Sequence, residues 1–414
     1  MNAGTVTLAE VTTRIGSGIT PRGGSAVYKS SGRPFLRSQN IGWGDLRLED
    51  VAYIDEATHL TFPATEVRAG DVLLNITGAS IGRSAVATSQ LDGGNVNQHV
   101  CEIRVKPGRM DPYFVNAFLL SLGGQSQIDM FQAGGNRQGL NFQQVGSIRI
   151  PDLEMGQQRA IGVAGRETDR LIATLEHLIA KKQAVKQGMM QQLLTGRTRL
   201  PGFTEPWSEV SIYELANNQR SLFNDGDWIE SEHIKTTGNR LIQTGNIGVG
   251  RLLDRGTKRY VSDESFSALK CKEVVPGDIL ICRLAEPAGR ACLVTSLGER
   301  RMLTSVDVSI YRPDPGIIDR RFLVAVFSTP RWFQEVSERC GGSTRTRIAR
   351  SELGRISIPI PRLEEQARIA DALTDADSEL DALEARLAKA RAIKTGMMQQ
   401  LLTGRTRLPV EAAS

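Results

Sequence analysis

Cysteine is sparse in this sequence and histidine sparser still. The 414 residues hold five cysteines, Cys101, Cys271, Cys282, Cys292 and Cys340. The number is odd and no two are spaced as C-x-x-C, which argues against a disulfide framework and against a zinc knuckle. A reduced, cytoplasmic setting is therefore expected. The four histidines, His59, His99, His177 and His233, are scattered without metal-ligand spacing, and each reads as structural. No uncharged apolar run approaches the roughly 18 residues of a membrane helix. The opening "MNAGTVTLAE" lacks the basic-then-apolar pattern of a signal peptide, so no membrane partner is expected. Catalytic motifs are missing as well. No GxxxxGK[ST] phosphate loop occurs. An adenine methyltransferase would need an Asn/Asp-Pro-Pro-Tyr/Phe loop and a glycine-rich turn for its methyl donor, and neither is present. "DPYF" at 111–114 has a single proline and matches "DRRF" at 319–322; both read as helix starts capped by Asp111 and Asp319. No catalytic, cofactor-binding or metal-binding residue is assigned.

What the chain does have is a repeat. "GMMQQLLTGRTRLP" occupies 188–201 and returns unchanged at 396–409, 208 positions later. In the same register "IRIPDLEMGQQRAI" at 148–161 lies over "ISIPIPRLEEQARI" at 356–369. Between these points each copy reads as a long helix. In the second copy Ile369, Leu373, Ala376, Leu380, Leu383, Leu387 and Ala390 alternate steps of four and three, which is heptad spacing. The seam of the first copy, Ile161, Gly165, Thr168, Ile172, Leu175, Ile179 and Lys182, is weaker, because Gly162 and Gly165 stand for Ala370 and Leu373. Those glycines predict either fraying or a close helix contact. The acids of "RLEEQ" suit the first turn of a helix, where they oppose its dipole. Gly196 and Gly404 are placed as helix stops, with Pro201 and Pro409 beyond. Each helix should run about 40 residues, or about 60 Å. A single apolar seam needs a partner, and an antiparallel intramolecular coiled coil supplies one.

The segments before the helices are Val- and Ile-rich short runs broken by Gly, Asn and Asp, a β-rich pattern. They match each other faintly: "SQNIGWGDL" at 38–46 with "TGNIGVGRL" at 244–252, and "GDVLLNITGASIGRSAV" at 70–86 with "GDILICRLAEPAGRACLV" at 277–294. Core positions and glycines recur while polar letters differ. The expected class is α+β, with two β-rich mixed domains alternating with two long helices in a pseudo-twofold internal repeat. The divisions fall at 1–152, 153–200, 201–360 and 361–414.

Lys and Arg number 51 against 46 Asp and Glu, for a formal net charge of +5, a lean toward an acidic partner such as DNA. Reading base edges calls for Arg, Lys, Asn, Gln, Ser and Thr on exposed loops. The first β-rich segment offers Arg37, Gln39, Asn75, Thr77, Ser80, Arg83, Asn136, Arg137, Gln138 and Asn141. The second offers Gln243, Thr244, Arg283, Arg290, Ser343, Thr344, Arg345, Thr346, Arg347 and Arg350, with "STRTRIAR" the richest stretch. Asn40 and Asn246 recur, as turn-holding residues would. The recurring Arg83 and Arg290 suit phosphate or scaffold more than a specific base. Arg197, Arg199, Arg405 and Arg407 follow the helix ends and suit either the dipole or a docking partner.

"IPIPRLEEQARIA", a long helix and then "KTGMMQQLLTGRTRLP" together resemble the conserved region of the specificity subunit of type I restriction-modification systems. "GDVLLNITGASIGRSAV" with "NQHVCEIRV" resembles the core of its target-recognition domain. The resemblance spans nearly the whole chain. "DLEMGQQRAI" departs from the usual Leu-Glu-Glu-Gln run, and "RLAEPAGRA" from the usual Thr-Gly. The resemblance implies a non-catalytic subunit that binds a split, asymmetric double-stranded DNA target, one half-site per recognition domain, with the coiled coil setting the spacer. It implies two methyltransferase subunits that carry S-adenosylmethionine, and restriction subunits using ATP and magnesium where present. Half-sites about 34–36 Å apart would share one face of DNA, within the reach of such a helix. Two other readings stand beside it: a coiled-coil scaffold with protein-binding globular units, and a standalone DNA-binding regulator. Weak DNA affinity under all conditions would favour the scaffold, and a gene without a neighbouring methyltransferase the regulator.

Overall fold

The computed structural model describes residues 4–132, 139–254, 256–341 and 346–409. The chain is α+β and divides into two compact units, one of residues 1–178 and 383–414, the other of residues 179–382. No helix among the described residues is long and apolar enough to cross a membrane.

The first unit opens with β1 (Thr5–Thr7), α1 (Leu8–Val11), β2 (Thr12–Ser17), β3 (Arg33–Leu36), β4 (Ala52–Ile54) and α2 (Glu56–His59). It continues with β5 (Val72–Asn75), β6 (Ser84–Val86), β7 (Asn95–Val96), β8 (Val100–Val105), α3 (Pro112–Leu119), α4 (Leu122–Gln132), α5 (Phe142–Ser147) and β9 (Arg149–Pro151). The long α6 (Met155–Leu193) begins here. One antiparallel sheet has the order β2-β8-β5-β6, a second runs β4-β3-β7, and β1 pairs with β9. Strand β5 is buried on both faces. Val72 and Leu74 join the core that includes Phe114, Leu119 and Ile161, whereas Leu73 joins a second core with Leu36 and Val96. This is the period of two expected of a strand between two layers.

The second unit holds β10 (Ser208–Ser211), β11 (Phe223–Asp225), β12 (Ile234–Lys235), β13 (Asn239–Ile242), β14 (Arg259–Val261) and α7 (Asp263–Ala268). Then follow β15 (Ile279–Cys282), β16 (Ala291–Leu293), β17 (Met302–Thr304), β18 (Val308–Tyr311), α8 (Arg320–Val326), α9 (Pro330–Glu338), α10 (Arg350–Gly354), β19 (Ser357–Ile360) and α11 (Leu363–Leu402). Its sheets run β11-β18-β15-β16 and β12-β14-β13-β17, and β10 pairs with β19. The strand orders correspond to those of the first unit, with one extra strand in the smaller sheet.

Helix starts and stops follow local chemistry. Asp111 accepts from the amides of Tyr113 and Phe114, and Asp319 from those of Arg321 and Phe322, so both cap their helices. Gly196 and Gly404 take φ of +68° and +69° beyond the ends of α6 and α11. Gly162 does not mark a frayed end. A Cβ there would lie 2.9 Å from both Asp111 Oδ1 and Tyr113 Cβ, so the glycine lets α6 approach the start of α3. The glutamine that recurs at 158 and 366 ties each β-rich core to its helix. Gln158 accepts from the Asp111 amide and Gln366 from the Asp319 amide, each at 2.8 Å, and both glutamines are fully buried.

Within each unit α6 and α11 run antiparallel. In the first, Asp169 pairs with Lys394 and Glu176 with Arg391. In the second, Lys182 pairs with Glu379 at 2.7 Å and Lys186 with Asp377. Glu365 does more than oppose a helix dipole. Its two oxygens take Nε and Nη2 of Arg199, both at 2.7 Å, and the carboxylate is buried. Arg199 is thus committed to this pair rather than free at a helix end. Gln157 stands at the corresponding place in the first unit and donates to the Leu408 carbonyl instead. Glu365→Ala should lower the stability of the second unit by about 2 kcal/mol, discounted from a fully buried pair because Arg199 is partly exposed. Gln157→Ala should cost clearly less, which parallel urea titrations would show.

Strand β8 carries a buried acid. Glu102 accepts from Arg14 Nε at 2.7 Å through one oxygen, and the other has no partner. Burial outweighs the Arg14 pairing and pushes the carboxyl up to about 7, from an ordinary 4.5. The folded form therefore binds a proton that the unfolded form releases. The stability this group contributes is complete below the ordinary value and is lost as pH rises through about 7. Between pH 5 and pH 8 that loss should reach roughly 2–3 kcal/mol. Glu102→Gln should abolish this part of the pH dependence, measured by urea unfolding at the two pH values.

Candidate nucleic-acid interface

One rim is built the same way in both units. In the first, the Ile76 amide donates to the His99 carbonyl at 3.0 Å, and the Leu140 amide to the Ile76 carbonyl at 2.8 Å. In the second, the Arg283 amide donates to the Asp307 carbonyl at 2.8 Å, and the Ile348 amide to the Arg283 carbonyl at 3.0 Å. The end of the central strand, β5 or β15, is thus held between a tight turn and the chain leading to α5 or α10. A third loop joins from β2 or β11. It passes so close to its neighbour that a Cβ on Gly18 would fall 1.6 Å from the Val96 carbonyl oxygen, and one on Gly226 2.3 Å from that of Ser305.

The side chains on the two rims differ. In the first unit Thr77 Oγ1 lies 2.5 Å from His99 Nδ1, Gln98 Nε2 lies 3.2 Å from His99 Nε2, and Thr20 donates to Gln98 Oε1. With the Gln98 amide donating to Nε2, Nδ1 is the donor to Thr77. This rim is a chain of uncharged hydrogen-bonding groups with the exposed Ile19 beside it. In the second unit Arg347 Nη2 lies 3.3 Å from Asp307 Oδ1, and Arg350 Nη1 4.0 Å from Asp225 Oδ2. Arg283 Nε lies 3.2 Å from Asp225 Oδ1 without hydrogen-bond alignment. Three arginines thus face two carboxylates. Burial pulls the Arg283 guanidinium below its ordinary pKa; Arg347 and Arg350 act the same way, and Asp225 and Asp307 oppose them. Trp228, in the adjoining loop, is 70% exposed.

A second set of candidates surrounds a turn beside the rim. Asn40 Oδ1 accepts the Arg37 amide and its Nδ2 donates to the Arg47 carbonyl; Asn246 does the same with Gln243 and Leu253. These asparagines hold the turn, as expected. Arg37 Nη2 donates to the Asp50 carbonyl at 3.0 Å, and Gln39 to the Asp50 side chain at 3.0 Å. Gln243 and Thr244 form the corresponding turn. Arg290 is scaffold. Its guanidinium donates to the carbonyls of Ile247, Leu284, Pro287 and Thr244, all within 3.0 Å. Its counterpart Arg83 is half-buried and has no carboxylate partner among the described residues, which leaves it available to a phosphate. Ser80, itself half-buried, closes an otherwise exposed turn next to it.

Exposure fails for two candidates and availability for a third. Asn75 is fully buried and donates to the Ser38 carbonyl. Arg283 is 4% exposed, because Asp225 draws it inward from across the sheet. Asn141 spends its side chain capping α5, where it accepts the Gln144 amide at 2.8 Å. Thr346 and Arg347 are exposed and Arg350 is half-buried. Asn136, Arg137, Gln138, Ser343, Thr344 and Arg345 lie outside the described residues. Sequence reasoning missed Thr20, Gln98, His99, Asp225, Trp228 and Asp307. The one signal for them was position: His99 and Asp307 both sit two residues or fewer before an apolar run that becomes β8 or β18.

Comparison with known proteins fits this geometry. Residues 206–390 match the type I restriction modification DNA specificity domain. Over 275 residues the chain is 22% identical to the type I restriction enzyme MjaVIII specificity subunit of Methanocaldococcus jannaschii; the match covers 63% of each chain, under two thirds of that relative's length. Over 396 residues it is 21% identical to a putative type I restriction enzyme MjaX specificity subunit of the same organism, covering 91% of this chain and 88% of the relative. In fold it resembles the type I restriction-modification S subunit from M. genitalium, with a TM-score of 0.64 at 14% identity over 97% of this chain and 96% of that one. A chain from a structural study of assembly and conformational transition of the type I R-M system gives 0.54 at 19% identity, covering 98% of both. Residues 206–390 thus carry a type I restriction modification DNA specificity domain, and the chain as a whole is similar to type I restriction enzyme specificity subunits.

Proposed function

We propose that this chain selects a bipartite, asymmetric double-stranded DNA target for a type I restriction-modification complex. Each unit reads one half-site through its rim. The observation that carries this reading is the pair of rims, built from the same backbone hydrogen bonds and lined by different polar side chains. A shared scaffold with divergent readers is what two unlike half-sites require, since base edges are distinguished by donor and acceptor pattern. The half-buried arginines near the turns would hold phosphates and set register.

The long helices supply spacing and docking on this reading. Antiparallel pairing of α6 with α11 in each unit supports the reading of an intramolecular coiled coil. The identical stretches at 188–201 and 396–409 then present one surface twice, to two methyltransferase subunits. The chain itself is non-catalytic. Adenine methylation with S-adenosylmethionine belongs to those partners, and ATP- and magnesium-dependent cleavage to restriction subunits where they are present. A cytoplasmic location goes with this role.

Single-molecule sequencing for N6-methyladenine, in cells expressing this chain with its neighbouring methyltransferase, tests the reading. Methylation should fall on one split motif and vanish when the chain is deleted. Replacing Thr77 and His99 should alter one half of the motif, and replacing Arg347 the other. Methylation that persists unchanged on deletion would sink the proposal.

A further inference from the structure

The first unit contains a cavity of about 610 Å³ between α3, α4, the loop at 44–48 and the paired segments of α6 and α11. Leu46, Val86, Tyr113, Leu120, Gly165 and Met398 line it. The second unit has larger side chains at the corresponding positions. Gly165 corresponds to Leu373, which is buried in that unit's core. Trp332 of α9 is buried in the same core, and its indole N–H donates to the Gly289 carbonyl at 2.8 Å. In the first unit the equivalent carbonyl, that of Gly82, is satisfied by the Gln125 amide at 3.0 Å, and Gln125 is a wall of the cavity. The hydrogen bond is kept with a much smaller side chain. An indole and an isobutyl group are present in one unit and missing from the other.

A Cβ on Gly165 would sit 3.5 Å from Met398 Cε and 3.6 Å from Ala117 Cβ, ordinary contact distances, so the position tolerates a side chain that it lacks. The Asp169–Lys394 pair closes one wall, and Arg166 on the same wall lies over the Tyr113 ring, 4.4 Å from its centroid. The size falls within the roughly 300–1,000 Å³ of small-molecule sites, with a mainly apolar wall and a few polar groups.

We infer that the first unit carries a binding site for a ligand of two to three fused aromatic rings, where the second unit has Leu373 and Trp332 at the corresponding positions. A protein partner bound in two identical copies, as the proposed function has it, would meet an open cavity on one unit and larger side chains at the corresponding positions of the other. That asymmetry favours a small molecule bound once.

Indole is the probe, titrated into the full chain by calorimetry and saturation-transfer NMR. One-to-one saturable binding is expected, with a dissociation constant on the order of 0.1 mM for so small a ligand. Gly165→Leu should weaken it at least tenfold, and Gly165→Ala less. Both replace a helix-interior glycine with better helix formers, so helical circular dichroism should be retained. Ala117→Leu fills the same space from the facing helix and should act like Gly165→Leu. No saturable binding up to several millimolar, or binding undiminished in both leucine variants, would overturn the inference. So would weakened association of a partner polypeptide in those variants without any indole binding, which would make the cavity a protein socket. Neither result depends on whether the chain selects DNA.

Discussion

On the proposed reading of a split target, Arg347→Ala is expected to relax recognition at one position in the second half-site and to leave the first half-site untouched. Arg347 is exposed at the rim and held by a single carboxylate, Asp307, at 3.3 Å. That pairing leaves the fork free to meet a base edge. A bidentate arginine–guanine contact discriminates by about 1–3 kcal/mol, so binding to the preferred sequence should fall roughly tenfold to a hundredfold. The methylation motif should become degenerate at that position. A pure phosphate contact behaves differently: affinity drops for all sequences alike, and the slope of log affinity against log salt shrinks by about one. Titrations of half-site variants at two salt concentrations separate these outcomes. Asp307→Ala supplies the converse test. Losing the carboxylate should strengthen binding to unrelated DNA, because the exposed Arg347 would face the phosphates without its compensating charge.

Trp332→Ala should cost the second unit about 4 kcal/mol. The indole is almost wholly buried, stacks on Phe327 with ring centroids 4.2 Å apart, and satisfies the Gly289 carbonyl. Large aromatic-to-alanine changes in cores cost about 3–5 kcal/mol, through lost transfer energy and the cavity left behind. An unsatisfied buried carbonyl adds to this. Hydrogen exchange read by segment should show protection falling across β15, β16, α8 and α9, and much less within residues 4–132. Equal loss in both would mean that the indole supports the whole chain rather than its own core.

The features legible in the sequence are those set by near neighbours. Asp111 and Asp319 were readable as caps because an N-cap needs only the amides two and three residues on. The stops at Gly196 and Gly404 were readable because a left-handed residue after a helix is a local demand. The seam of α11 was readable from spacing, and Ile369, Leu373, Leu380, Leu383 and Ala390 are all buried. Asn40 and Asn246 were readable as turn-holders because their partners lie within ten residues.

The polar side chains around the rims were not legible in this way, since distant residues decide their fate. Arg283 looks like any loop arginine until the sheet brings Asp225, 58 positions earlier in the chain, to its side. Asn75 is claimed by the Ser38 carbonyl and Arg290 by carbonyls more than forty residues away. His99 reads as one scattered histidine until β5 and the turn before β8 set it against Thr77. The sequence by itself determined the class, the two long helices with their caps and stops, and the family resemblance that two copies of one helix end carry. Tertiary structure alone decided which arginine is buried, which carbonyls a guanidinium satisfies, and that one unit keeps a cavity where the other packs an indole. Caps, turns and periodicity are short-range and written in adjacent letters. Burial and polar partnership depend on strand pairing across tens of residues, which no local pattern encodes.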